Sequence, residues 1–371
     1  MNRRTFLGYS PAASSLCAMP ALVPGLLHGS ITPKRILVIG GTVFLGPAIV
    51  QAALNAGHTV TLFNRGVTSP ELFPHVEKLR GFRSSDASDQ DLSALPHRHW
   101  DAVIDVWPHD PFMAASAAEL LKDRTRHYLY VSSIAAYDSK DFEKPGVDES
   151  APLELWTSDA SEYSRGKAES ERRLAAICGS RLTIVRPGPI KGFRDDTPDL
   201  LTWLLRAQIG GKHIAPGDGS SPVELVDVDD VARFLMLAIS RSMYGTFNLT
   251  GKPMTFREFL AKCNAATGSD AAFVWIPKEF LDQHHLDPDP VLHIHGGNFP
   301  FWRPPGTDPG LYQVSSDKAF AAGWHTRPFE ETAADCLATY RSDFPTLSNW
   351  QDYLSPTKEN EVLDAWMHRS G

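Results

Sequence analysis

The sequence predicts an α/β protein built on a doubly wound parallel sheet, with a second, smaller, discontinuous lobe. Three observations predict it. Short apolar runs at Ile36–Ile39, His58–Phe63, Trp100–Val106 and His127–Val131 are separated by helix-length stretches, the alternation that gives a parallel sheet covered on both faces. The first run leads straight into Gly40-Gly41-Thr42-Val43-Phe44-Leu45-Gly46, a glycine turn between a strand and a helix. After Gly188 the alternation breaks down into loops and isolated helical stretches, where the second lobe begins.

Residues 1–32 stand apart from the fold. Arg3-Arg4 is followed by Thr5-Phe6-Leu7, and no Asp, Glu, Lys or Arg occurs from Thr5 to Pro33. Pro11, Pro20 and Pro24 break the segment too often for a membrane-spanning helix, so no stable membrane insertion is expected. It resembles the bacterial twin-arginine export signal and is set aside as a leader. Export to the periplasm follows from that reading, and a cytoplasmic protein follows if the leader is a plain tail.

In the glycine turn, Gly40 permits a bend that a side chain would block. Gly41 lets the backbone approach a phosphate, Gly46 brings the helix close to the sheet, and the helix N–H groups make an anion site. The helix runs to about Gly57. The second strand ends in Asn64-Arg65-Gly66, where a dinucleotide-binding fold reads its ribose. An acid there would select NAD; the fork of Arg65 suits a 2′-phosphate, so NADP is expected, with NAD as the other option. A third strand, Leu79–Arg83, ends near Asp86, a candidate to face adenine. The fourth strand is followed by a helix from Met113 to Leu121.

The fifth strand ends in Ser132-Ser133, at the end of the sheet that faces the ligand crevice. Tyr163-Ser164-Arg165-Gly166-Lys167 then opens a helix, with Ser158, Asp159 or Ser161 available as its cap. Tyr163 and Lys167 are four apart and share a face. A phenol titrates near 10 and is a poor base at neutral pH. A neighbouring ammonium would lower that value and let the tyrosine exchange a proton with a substrate hydroxyl. A serine hydroxyl would steady the charge on the same oxygen.

With these residues in order, the chain resembles the extended short-chain dehydrogenases/reductases, the NAD-dependent epimerase/dehydratase family, most strongly from Ile36 to Gly192. The resemblance implies a Rossmann sheet and a catalytic set of Ser133, Tyr163 and Lys167. Ser133 is preferred to Ser132 because the family places this hydroxyl four residues before an aromatic such as Tyr137. It also implies a nucleotide site at Gly40, Gly41, Thr42, Phe44, Leu45, Gly46, Asn64, Arg65 and Asp86. Lys167 would hold the ribose, and Arg186-Pro187 would run beside the nicotinamide. A carbohydrate-like substrate and a homodimer are implied as well. Val43, where the middle glycine usually stands, and Asn64-Arg65-Gly66 are closer to an atypical branch that includes the chloroplast stem-loop-binding proteins. That branch supplies the alternative, a non-catalytic dinucleotide-binding or RNA-associated protein. Asp229, at a place where family members often carry arginine, weakens the case for a nucleotide sugar.

The domain expectation is a dinucleotide-binding half, 33–187 plus 223–252, and a substrate-binding lobe, 188–222 plus 253–371. In the second half Leu200–Ile209, Val231–Ser240 and the run after Thr255 read as helices, and Gly245–Thr250 as a last strand. Phe299-Pro300-Phe301-Trp302-Arg303-Pro304-Pro305 is an aromatic, proline-stiffened loop and a candidate substrate wall, with packing beneath a loop as the other reading. His284, His285, His293 and His295 lack a partner at ligand spacing, so no metal is expected. The net charge of −8 and the absence of a basic run beyond the leader disfavour nucleic acid as a partner. Four widely spaced cysteines suggest buried thiols rather than a disulfide framework.

Overall fold

The apolar runs become strands because nearly every side chain in them is covered on both faces: Ile36 to Val38 are wholly buried and Ile39 is 1% exposed. The computed structural model describes residues 32–106, 110–288, 297–342, 351 and 353–369. The leader, His293 and His295 therefore lie outside the described residues.

In chain order the first half comprises β1 (Arg35–Ile39), α1 (Leu45–Asn55), β2 (Thr59–Asn64), β3 (Glu77–Arg80), β4 (Ala102–Asp105), α2 (Pro111–Leu121), β5 (Tyr128–Val131), α3 (Glu162–Cys178) and β6 (Leu182–Pro187). There follow β7 (Ile190–Lys191), α4 (Asp199–Ile209), β8 (Lys212–Pro216), β9 (Pro222–Val223), β10 (Val226–Asp227), α5 (Val228–Arg241) and β11 (Gly245–Leu249). The remainder is β12 (Met254–Thr255), α6 (Phe256–Thr267), β13 (Ala272–Ile276), α7 (Lys278–Gln283), α8 (Asp317–Ala321), α9 (Phe329–Arg341) and α10 (Pro356–His368).

Seven strands form one sheet in the order β11-β6-β5-β4-β1-β2-β3, and every neighbouring pair is parallel. This is the predicted Rossmann-type sheet. The order reverses between β1 and β4, which opens the crevice at the carboxyl ends of those strands. Helix α1 packs against α5 on one face, and α2 against α3 on the other.

Several boundaries differ from expectation for local reasons. The third strand ends at Arg80, and Phe82 turns instead to pair with Asp91 through hydrogen bonds of 3.0 Å in each direction. Helix α5 begins at Val228, before the expected Val231, since the Asp227 carboxylate caps it by accepting from Asp229 N at 2.8 Å. Of the three candidate caps for α3, Ser161 serves, accepting from Ser164 N at 3.1 Å. Thr255 and Glu258 form the capping box of α6, a device worth about 1 kcal/mol.

Beyond the sheet, a separate cluster of buried side chains joins α4, α6 and α9, with Trp203, Phe256, Phe259, Phe299 and Trp302 at its centre. The parallel pair β8–β13 was not expected. Lys212–Pro216 lies between Gly210-Gly211 and Gly217, so its local sequence reads as loop, and only its distant partner makes it a strand.

Candidate active site

The glycine turn holds its shape through two positive backbone angles, φ +102° at Gly40 and +92° at Gly41. A Cβ at Gly40 would lie 2.6 Å from Val106. Gly46 packs directly on the turn. A Cβ there would fall 1.9 Å from Gly41 Cα, so it seats the first turn of α1 against the glycine turn itself. Phe44 precedes α1 and gives no side-chain cap. The first N–H groups of α1 are thus left for an anion, with Thr42 and Leu45 alongside.

A cavity of about 180 Å³ opens beside this turn, lined by Gly40–Val43, Phe63–Thr68 and Gly81–Arg83. Asn64 Oδ1 accepts from Gly66 N at 2.9 Å and from Arg80 Nη1 at 2.7 Å. Its Nδ2 is buried without a partner. Arg65 is exposed at the rim. These features fit a dinucleotide: uncapped helix amides, a glycine cradle, an orphaned donor and a cationic rim. Asp86 is placed elsewhere. Its carboxylate caps the turn Ala87–Asp89, accepting from Ser88 N and Oγ at 2.8 and 2.7 Å. Phe82 and Arg83 occupy the cavity wall instead, and sequence reading missed both.

Ser133 and Tyr163 meet. Ser133 lies two residues beyond β5 and caps the turn Ile134–Ala136, its Oγ accepting from Ala135 N at 3.1 Å, and it draws the pKa of the Tyr163 phenol downward. Ser132 faces inward, 2% exposed, with its Oγ unpartnered. Lys167 is buried. Its Nζ donates to the Val131 carbonyl at 2.7 Å and lies 4.9 Å from the Tyr130 ring centre and 5.8 Å from that of Tyr163.

The electrostatics differ from expectation. Burial pulls Lys167 down to about 7, while Asp105 and Glu171 hold it up and Arg83 opposes them. Burial pushes the Tyr163 phenol up, and the neighbouring Ser133 hydroxyl offsets only part of that rise, so the net direction is upward and not the expected fall.

Asp105 anchors the floor. Arg83 clasps it with Nη1 and Nη2 at 2.8 and 2.9 Å, and Tyr128 OH donates to it at 2.9 Å. An acid within the buried run Ala102–Asp105 was the signal that could have found it, since a buried carboxylate needs a partner. Arg186 is likewise internal. It pairs with Glu171 through Nε at 3.0 Å and Nη2 at 2.6 Å, and its guanidinium stacks 4.5 Å from the Tyr137 ring centre. Pro187 is buried at the end of β6, in register with Leu249.

The aromatic loop is core, not a wall: Phe299, Phe301 and Trp302 are 0–2% exposed, and the Pro300 carbonyl accepts from Trp203 Nε1 at 2.9 Å. Apolar rings there have neighbours on every side. His284 packs on Phe280 at 4.6 Å between ring centres. Among the described residues no cluster of His, Cys, Asp or Glu could hold a metal. Cys178, Cys263 and Cys336 are buried thiols. No helix of the described residues is long and apolar enough to cross a membrane.

The model of the NAD dependent epimerase/dehydratase family matches residues 36–249. The chain is 28% identical over 264 residues to the chloroplast stem-loop binding protein of 41 kDa b of Arabidopsis thaliana, covering 67% of each chain. It is 29% identical over 286 residues to 2′-dehydrokanamycin reductase of Streptomyces kanamyceticus, covering 72% of this chain and 76% of that one. The solved UDP-N-acetylglucosamine 4-epimerase of Bacillus cereus shares the fold, with a TM-score of 0.59 at 18% identity over 82% of this chain and 99% of that one. With residues 36–249 matched on a seven-stranded parallel sheet, the chain belongs to the NAD dependent epimerase/dehydratase family.

Proposed function

We propose that the protein is an oxidoreductase or epimerase acting on a hydroxyl or keto group of a carbohydrate-like substrate, with a tightly held nicotinamide dinucleotide, NADP in preference to NAD. The observation that carries this reading is the convergence of three side chains just beyond β5: Ser133 acts on the Tyr163 phenol, and Lys167 Nζ lies 5.8 Å from the Tyr163 ring centre. The bound nicotinamide supplies the hydride donor or acceptor. Tyr163 then exchanges one proton with the substrate oxygen, and Ser133 donates a hydrogen bond to that oxygen. A phenol pushed up by burial is protonated at neutral pH, which suits donation to a carbonyl as it is reduced. That direction agrees with the reductase among the relatives.

Segments 188–222 and 253–371 are assigned to substrate binding, around the cluster that joins α4, α6 and α9. The Arg3-Arg4 leader is assigned to export. Outside the cytoplasm no nicotinamide pool is maintained, so an exported enzyme must keep its nucleotide and restore it in each cycle. The second reading, a non-catalytic or RNA-associated protein, has the stem-loop-binding relative in its favour.

The test is to load the protein with NADPH and follow oxidation at 340 nm against a panel of keto sugars. Turnover that Tyr163→Phe removes supports the reading. Binding of nucleotide with no turnover on any keto or hydroxyl compound would favour the second. Export is tested by Arg3→Lys with Arg4→Lys: unchanged localisation would remove the leader claim.

A further inference from the structure

The chain that leaves β7 passes beside the glycine turn, and Arg194 ties the two together. Its Nε donates to the Val43 carbonyl at 3.0 Å, its Nη2 to Ser69 Oγ at 3.2 Å, and its backbone N to Thr339 Oγ1 on α9 at 2.8 Å. Val43 lies in one wall of the nucleotide cavity, and Ser69 directly follows Thr68 in the other. One guanidinium therefore joins the glycine turn to the segment that continues from the other wall. Arg194 holds this place at φ +66°, a left-handed conformation that is uncommon for a residue with a side chain and clusters at functional sites.

The loop beneath it is braced. Lys191 Nζ is buried and bonded to Thr197 Oγ1 at 2.6 Å and to Asp199 at 2.8 Å, with Asp195 3.4 Å away. Asp195 Oδ1 accepts in turn from Thr197 N and Oγ1 at 2.9 and 2.7 Å. The Gly192 carbonyl accepts from Cys336 on α9 at 3.6 Å, and a Cβ at Gly192 would press to 2.9 Å from Val228. A loop fixed at so many points presents Arg194 with little ordering cost.

We propose that Arg194 is a clasp on the diphosphate of the bound dinucleotide, closing the glycine turn from the substrate side and setting how fast the nucleotide leaves. The proposal rests on the dinucleotide reading above. Its chemistry is a fixed planar cation beside the helix N-terminus where a diphosphate is received, with charge-assisted hydrogen bonds to that anion. It also gives Val43 a role: the middle position of the turn presents its carbonyl to the clasp, while its side chain is 45% exposed.

The experiment loads the full chain with NADPH, mixes it with excess NADP, and follows loss of bound-NADPH fluorescence. Arg194→Ala is expected to release nucleotide on the order of ten- to a hundredfold faster, the scale of lost charged hydrogen bonds. Ser69→Ala, which removes one anchor and leaves the cation, should accelerate release less, and it carries the test if Arg194→Ala fails to fold. Release unchanged in both variants overturns the clasp and leaves the dinucleotide reading standing. A wild-type protein that takes up no nucleotide overturns both.

Discussion

Lys167 Nζ, on α3, lies 5.8 Å from the ring centre of Tyr163 and donates at 2.7 Å to the carbonyl of Val131, the last residue of β5, with Ser133 two residues further on. That contact joins the sheet to the helix, and in the proposed function the substrate oxygen sits between Ser133 and Tyr163. Replacing the phenol should therefore remove chemistry without removing binding. Tyr163→Phe is expected to lower kcat by about 10²–10⁴-fold, the usual worth of a positioned acid or base. Nucleotide affinity, read by fluorescence titration, should stay at the wild-type value. Ser133→Ala should cost about 10²–10³-fold, as for a lost donor to a developing oxyanion.

Nucleotide choice should lie in two arginines. Arg65 is exposed at the rim, and Arg80 is drawn to it by Asn64 Oδ1 at 2.7 Å. Gly66 makes the approach of Arg80 feasible, since a Cβ there would lie 2.1 Å from its Nη1. Arg65→Ala is expected to weaken NADPH relative to NADH by roughly ten- to a hundredfold, with Arg80→Ala adding to it. Equal Kd ratios in wild type and both variants would show that neither arginine reads the 2′-phosphate.

The Arg186–Glu171 pair is closed off from water, with side chains 5% and 2% exposed. Removing only the acid strands a buried cation. Glu171→Ala should lower stability by about 3–5 kcal/mol, while Arg186→Met with Glu171→Leu should recover much of that loss. Urea midpoints for the single and double variants check it. A mild loss in Glu171→Ala would mean that water reaches the pair.

Glu224 is wholly buried, its Oε2 accepting from Val314 N at 3.2 Å, and burial pushes its carboxyl up to about 8 from 4.5. Between those values the folded protein keeps a proton that the unfolded chain has released. Stability through this group is therefore present below pH 4.5 and is lost as pH rises toward 8. Glu224→Gln, which mimics the neutral acid, should flatten that fall in urea unfolding measured from about pH 5 to 8. An unchanged slope would place the titration on another group.

What could be read beforehand follows from the range of the interactions. The glycine turn, the serine-ended strand and the Tyr163–Lys167 spacing are local patterns, and the parallel sheet follows from apolar runs that need cover on both faces. Arg83 with Asp105, and Arg194 with Val43, are partners distant in the chain, so no local pattern announces them. The aromatic loop shows the other difficulty. Phe299, Phe301 and Trp302 have the composition of a ligand wall, and only the contacts of Phe299 with Trp203 and Trp302 and of Phe301 with Phe259 reveal a core. The juxtaposition of Tyr163 and Lys167 was legible from their spacing, but their pKa directions depend on burial, which sequence does not supply.

The most direct measurement is to purify the folded protein, denature it, and identify the nucleotide released. The account predicts close to one NADP(H) per chain, lost faster from Arg194→Ala. A protein that yields no nucleotide and binds neither NADPH nor NADH when they are added would contradict it.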